Sequence, residues 1–224
     1  MINLTMNKDQ PSKLKVCGMT QLDQIHELIS MKTDFLGFIF YKKSPRYVLN
    51  HLDPEDILKI SHPGKTGVFV NEKIDKITEI TEKAGLNLIQ LHGDESKDFV
   101  NQLKQSLKPE IKIIKAIRIG NNDPETKKTI EKTINSHVST VDYLLFDTDS
   151  KAFGGTGKQF DWTILNEFEI PLPYFLSGGI SEENIKNISS LLRKPFVIDI
   201  NSKFELEPGI KNLEKIRKFI SKAF

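Results

Sequence analysis

Disulfides, charge imbalance and long apolar runs are all missing from this 224-residue chain. A single cysteine, Cys17, excludes an intrachain disulfide framework and fits a reducing cytosol. The 32 lysines and arginines nearly balance 30 acids, so the net charge of +2 provides no broad field for nucleic acid or a membrane surface. An acidic ligand would therefore need a local site. No apolar stretch is long enough to span a bilayer. The segment Met1–Gln10 is polar and lacks the apolar core of a secretory signal, so a cytoplasmic location is expected. The five histidines are scattered, and none stands at a zinc-ligand spacing from Cys17, so no metal is expected.

What the chain does have is one pattern repeated eight times. Short runs rich in Val, Ile, Leu and Phe occur at 14–17, 35–40, 67–70, 88–91, 111–117, 143–146, 174–176 and 197–200. Most are almost continuously apolar, as strands covered on both faces should be. Longer amphipathic stretches separate them. In the clearest, Ile74, Ile77, Ile80 and Ala84 share a helical face, with Gly85 just past the end. Another gathers Leu213, Ile216 and Ile220 before the terminal Phe224. Pro171–Pro173 and 121–124 read as loops leading into or out of elements. Strands alternating with helices imply parallel pairing through right-handed crossovers. Eight units without a linker predict an α/β fold, a single (β/α)8 TIM barrel over residues 13–224. Residues 1–12 are expected to be a disordered extension. The rival, an open Rossmann-like sheet, would want G-x-G-x-x-G after an early strand, and the loop after Cys17 offers only Gly18.

In such a barrel, chemistry sits at the C-terminal ends of the strands, with phosphate often held by the last loops. Gly154-Gly155-Thr156-Gly157-Lys158 follows strand six, and clustered glycines let backbone N–H groups approach an anion. It is not a Walker A loop, because Ala152 and Gln159 break that motif. A flexible connection would show the same glycines. Ser177-Gly178-Gly179 ends strand seven, with a helix expected to start near Ser181 and offer its N-terminus to an anion. Asn201-Ser202 ends strand eight. Three such loops on one rim predict a phosphate-binding enzyme. Cys17 ends strand one and reads either as a small buried hydrophobe or as a thiolate base. Asp147 ends strand six, where a carboxylate is costly to bury without a task, although a loop-capping role, shared with Asp149, fits too. Asp199 reads as a structural acceptor. Arg46, fixed behind Pro45, can hold a carboxylate in bidentate fashion or lie on the surface. Gln90 and His92 stand at the mouth end of strand four, where His92 fits a structural role equally well. Lys115 is the one candidate for a Schiff-base lysine.

Taken in order, these segments resemble one family, the phosphoribosylanthranilate isomerases. The matching pieces are Lys15-Val16-Cys17-Gly18-Met19-Thr20, Gly37-Phe38-Ile39-Phe40, Ser44-Pro45-Arg46-Tyr47-Val48, Gly67-Val68-Phe69-Val70-Asn71 and Gln90-Leu91-His92-Gly93. They continue with Phe146-Asp147-Thr148, the 154–158 glycine loop, Phe160-Asp161-Trp162, Leu176-Ser177-Gly178-Gly179-Ile180, Glu205 and Pro208-Gly209. The resemblance runs from about Lys13 to the C-terminus. It implies an Amadori rearrangement of N-(5-phosphoribosyl)anthranilate in tryptophan biosynthesis, without a cofactor. Asp147 would be the general acid and Cys17 the general base. Arg46 would orient the anthranilate moiety, and Gln90 and His92 would also bind the substrate. Gly154, Gly155, Thr156, Gly157, Gly178, Gly179, Asn201 and Ser202 would hold the phosphate. The implied partner is a small phosphosugar, and the chain would act as a monomer or homodimer.

One departure stands out. Lys203 and Phe204 precede Glu205, where the family usually has a glycine and a small apolar residue. Retained phosphate binding with altered local geometry is the expectation. Three rivals remain: a histidine-pathway type of isomerase, disfavoured by Cys17 where an aspartate would stand; an aldolase built on Lys115; and a binder that kept the loops without the chemistry.

Overall fold

The computed structural model describes residues 12–120, 123–148 and 160–224. Apart from Ser12, the expected N-terminal extension lies outside the described residues. Ser12 itself is tied down, its hydroxyl donating to the Pro195 carbonyl at 2.9 Å.

Eight parallel strands close into a barrel in sequence order: β1 (Lys13–Cys17), β2 (Phe35–Ile39), β3 (Lys65–Phe69), β4 (Leu88–Leu91), β5 (Lys112–Ile119), β6 (Tyr143–Thr148), β7 (Tyr174–Leu176) and β8 (Val197–Ile200). The β8–β1 ladder completes the ring, with Lys15 opposite Asp199. The eight apolar runs are thus the eight strands, shifted by one or two residues at their ends. A two-stranded hairpin follows, β9 (Glu205–Glu207) and β10 (Ile210–Lys211).

Because side chains alternate along a strand, each one faces both inward and outward. Outward residues such as Val16, Leu36, Ile89, Ile113, Leu144 and Leu176 pack beneath the helices in one continuous core. Inward residues Phe35, Leu88, Ile114, Ala116, Leu145, Phe175 and Val197 fill the lower barrel with a separate apolar plug. The helices are α1 (Leu22–Ser30), α2 (Pro54–Lys59), α3 (Ile74–Ala84), α4 (Lys97–Ser106), α5 (Pro124–His137) and α6 (Leu213–Ala223). In α3, Ile77, Ile80 and Ala84 are buried as the spacing predicts, and Gly85 ends the helix in a left-handed conformation. Pro124, at the end of the expected lead-in, is the first residue of α5, with Asp123 capping the Thr126 N–H at 2.8 Å. No helix among the described residues is long and apolar enough to cross a membrane.

The expected helix near Ser181 is not there. A turn leads instead to a short 3-10 stretch, Ile185–Ser190, and another, Trp162–Glu167, follows β6. The cause is local side-chain chemistry. Asn184 accepts the Ser181 N–H at 2.8 Å and donates to the Gly179 carbonyl at 2.8 Å, so it competes with helical bonding. This removes a long helix terminus as the source of anion affinity after β7.

Candidate active site

Above the apolar plug the barrel interior becomes polar. Cys17, Gln90, His92, Asp147, Asp199 and Asn201 line one cavity at the C-terminal mouth, of about 490 Å³ including its open end. Ile39, Val68 and Tyr41 supply an apolar wall beside Cys17. The parity of each strand explains the gathering. Cys17 lies two residues from Lys15, and Asp147 two from Leu145, so the site continues the inward-facing rows upward.

Cys17 is buried and packs against Gly37 of β2, where even a methyl group would sit 2.6 Å from its sulfur. Burial pushes its thiol above the ordinary value. The charges of Lys15 and Lys211 pull it back, and Asp199 opposes them. Such a thiol is a stronger base once ionised, with a smaller ionised fraction.

Asp147 is held from two sides. Its Oδ1 accepts the Thr148 N–H at 2.8 Å, and its Oδ2 lies 3.2 Å from His92 Nε2. His92 Nδ1 in turn meets the Gln90 side-chain nitrogen at 2.7 Å. The Gln90 oxygen accepts from Lys15 Nζ at 2.8 Å, and an ammonium can only donate. That fixes the amide: its NH2 donates to Nδ1, so Nε2 carries the proton and points at Asp147. Two donors therefore stand ready to hold an Asp147 carboxylate.

A second polar cluster walls the mouth. Arg46 donates to Glu205 from Nε, 2.9 Å from each carboxylate oxygen, and from Nη2 at 2.6 Å. Lys211 Nζ donates to Glu205 at 2.7 Å and to Asn201 Oδ1 at 2.8 Å. Burial raises the Glu205 pKa, but hydrogen bonds and charge from Arg46 and Lys211 outweigh it and hold the carboxyl below its ordinary value. Arg46 is thus a buried residue with a fixed partner, not a surface arginine.

The remaining expectations divide. Gly178 and Gly179 both have positive φ, 86° and 71°. A side chain at Gly178 would also run into Thr148 and Asp147, so backbone alone fits there. Asn201 and Ser202 follow β8 as expected. Lys203 is exposed and sits in a 3-10 turn, its carbonyl accepting from Lys215 Nζ at 2.7 Å. The turn is anchored by Phe204, fully buried with its ring 4.8 Å from that of Phe219. Gly154, Gly155, Thr156 and Gly157 lie outside the described residues. Lys115 leaves the mouth altogether. It turns outward, donating to Glu95 at 2.8 Å and to the Gly93 carbonyl at 2.7 Å beside a hollow under α5. An aldolase lysine would need to reach the cavity, so that rival fails on geometry.

Residue type alone gives Lys15, Glu205 and Lys211 no site role, and Asp199 only that of a structural acceptor. A usable signal existed for one pair: a lysine and an aspartate inside otherwise apolar strands, each in step with a mouth residue.

A family model described as N-(5'phosphoribosyl)anthranilate (PRA) isomerase matches residues 14–222. The chain belongs to this family. A relative from Parabacteroides distasonis, N-(5'-phosphoribosyl)anthranilate isomerase, is 39% identical over 211 residues, covering 92% of this chain and 91% of the relative. The crystal structure of phosphoribosyl anthranilate isomerase from Thermotoga maritima is similar at 32% identity and a TM-score of 0.77, covering 95% of this chain and 98% of that one. A further solved isomerase, in complex with reduced 1-(o-carboxyphenylamino)-1-deoxyribulose 5-phosphate, is 29% identical with a TM-score of 0.72, covering 95% and 98%.

Proposed function

We infer that this chain is an isomerase of tryptophan biosynthesis that converts N-(5'-phosphoribosyl)anthranilate to 1-(o-carboxyphenylamino)-1-deoxyribulose 5-phosphate. The observation that carries the residue assignment is the meeting of a thiol and a carboxyl, Cys17 and Asp147, in one cavity of the barrel mouth. Asp147 gives its proton to the furanose ring oxygen as the C1–O bond breaks, leaving a Schiff base. His92 and the Thr148 N–H then hold the resulting carboxylate. The Cys17 thiolate removes the C2 proton, and the electron pair moves toward the iminium nitrogen to form an enolamine. Reprotonation at C1 with loss of the C2 hydroxyl proton yields the ketone. An acid and a base suffice because the Schiff-base nitrogen belongs to the substrate, so no cofactor takes part.

Arg46 binds the anthranilate carboxylate from the position that Glu205 gives it, and Gln90 and His92 border the reacting carbons. The phosphate binds at Gly178, Gly179, Asn201 and Ser202 together with Gly154, Gly155, Thr156 and Gly157. Gripping this remote group supplies orientation for the chemical step. The partner is the phosphosugar, and the chain works as a monomer or homodimer in the cytoplasm.

The test is to generate phosphoribosylanthranilate in situ and follow the loss of its fluorescence on adding the protein. Turnover is expected, and Cys17→Ala and Asp147→Asn should each slow it by at least about 100-fold. Full rates in both variants would sink the acid–base assignment even with activity present.

A further inference from the structure

One buried lysine shares a strand face with Cys17 and connects to Asp147 through Gln90 and His92. Lys15 is fully buried, and its Nζ donates to Asp199 at 2.6 Å and to Gln90 at 2.8 Å. Placing an ammonium there carries a large desolvation penalty, which a single ion pair offsets only in part. The apolar plug directly below shows that this interior accepts hydrophobic filling. A polar layer at this height therefore needs a reason other than packing.

We propose that Lys15 is a positioning residue that presents its charge to the Cys17 sulfur and, through Gln90, fixes the proton of His92 on the nitrogen facing Asp147. The proposal rests on Cys17 being the base. Both effects follow from geometry. Lys15 and Cys17 are alternate residues of β1 and share its inward face. On the other side, a donor-only group sets the Gln90 amide, and the amide sets the imidazole tautomer. Asp199 is opposite Lys15 in the β8–β1 ladder and keeps it charged. Burial acts against the Lys15 charge, but Asp199 and Cys17 together raise its pKa above the ordinary value.

The other groups around Cys17 do not replace it. β2 and β3 present Gly37, Ile39 and Val68, none of them titratable, and Tyr41 stands beyond them on the wall. Lys211 of β10 is cationic but is bound to Glu205, which also takes up Arg46. Burial also lowers the Lys211 pKa. Across the mouth, His92 and Asp147 are engaged with each other. Lys15 is the nearest cation held on the sulfur's own strand.

As Cys17 is the chain's single cysteine, its ionisation can be read directly by thiolate absorbance and by the pH dependence of alkylation. In Lys15→Gln the Cys17 titration should move up by about one pH unit or more. Turnover near neutrality should fall at least about tenfold, and much of it should return as the pH is raised. A purely structural loss would lower the rate at every pH and leave the thiol titration where it was, and that result would overturn the proposal. Should Lys15→Gln fail to fold because Asp199 is stranded, Lys15→Met with Asp199→Leu replaces the pair by apolar groups. A smaller upward shift is expected there, because the change also removes Asp199, whose charge partly offsets that of Lys15 at the sulfur. In the unsubstituted protein, the Lys15 Nζ resonance should show an inflection at the Cys17 titration that disappears in Cys17→Ala; persistence of that inflection refutes the coupling. If Cys17→Ala retains full turnover, the base assignment itself falls. If Cys17 is required but Lys15→Gln leaves its titration unmoved, only the role of Lys15 falls.

Discussion

Arg46 shows how much a residue's meaning depends on its partner. On its own it is a guanidinium behind a proline, equally at home on a surface. In the fold its Nε and Nη2 are committed to Glu205, which is 159 positions away. The fork geometry makes lysine a poor substitute, because a point charge cannot satisfy both carboxylate oxygens in that plane. Arg46→Lys should therefore raise KM for the substrate by about tenfold or more, with a smaller effect on kcat, measured by saturation kinetics. A drop confined to kcat would place Arg46 in the chemical step instead. The same lesson applies to Lys115, whose type suggested a Schiff base. Its outward position beside Glu95 leaves it an ion-paired structural residue.

At the scale of elements, strands were far more legible than helices. Short apolar runs mark all eight strands, most of them near-continuous, because burial on both faces allows little else. The segments after β6 and β7 were less readable. Asn184, with its hydrogen bonds to residues 179 and 181, overrides any helical tendency there, and competition of this kind is invisible to hydrophobic spacing. The loop after β8 is the other local surprise. The lost glycine is accommodated by a 3-10 turn that buries Phe204 against Phe219 and leaves Lys203 at the surface. Phe204→Ala should accordingly cost about 3–5 kcal/mol, as for other large-to-small core changes, read from denaturant midpoints. A loss below about 1 kcal/mol would mean the turn does not depend on that anchor.

For the whole molecule, closure is the decisive event. The β8–β1 ladder brings together residues 184 apart in sequence, Lys15 and Asp199, while the C-terminal hairpin reaches back to Arg46. The Glu205 cluster makes stability depend on pH in a definite direction. Glu205 has a folded-state pKa below its ordinary value, so its contribution is complete above the unfolded value. It is lost as pH falls through the folded one. The window thus lies at and below the ordinary glutamate pKa of about 4.3. Glu205→Gln should be less stable than the parent near pH 7, and the gap should narrow through that window, as followed by thermal unfolding. A gap that stays constant with pH would exclude an ionic origin.

Apolar repetition in the sequence was enough to determine the barrel, since eight doubly buried strands and their crossovers have few other ways to cover themselves. The sequence likewise singled out the thiol, carboxyl and glycines at the strand ends, because those residue types are costly or unusual there. Only the tertiary structure decided which charges face one another. Ladder register set Lys15 against Asp199, and barrel closure set Arg46 and Lys211 on Glu205. A side chain's neighbours across a barrel come from strand order and stagger, and no local spacing in the chain encodes them.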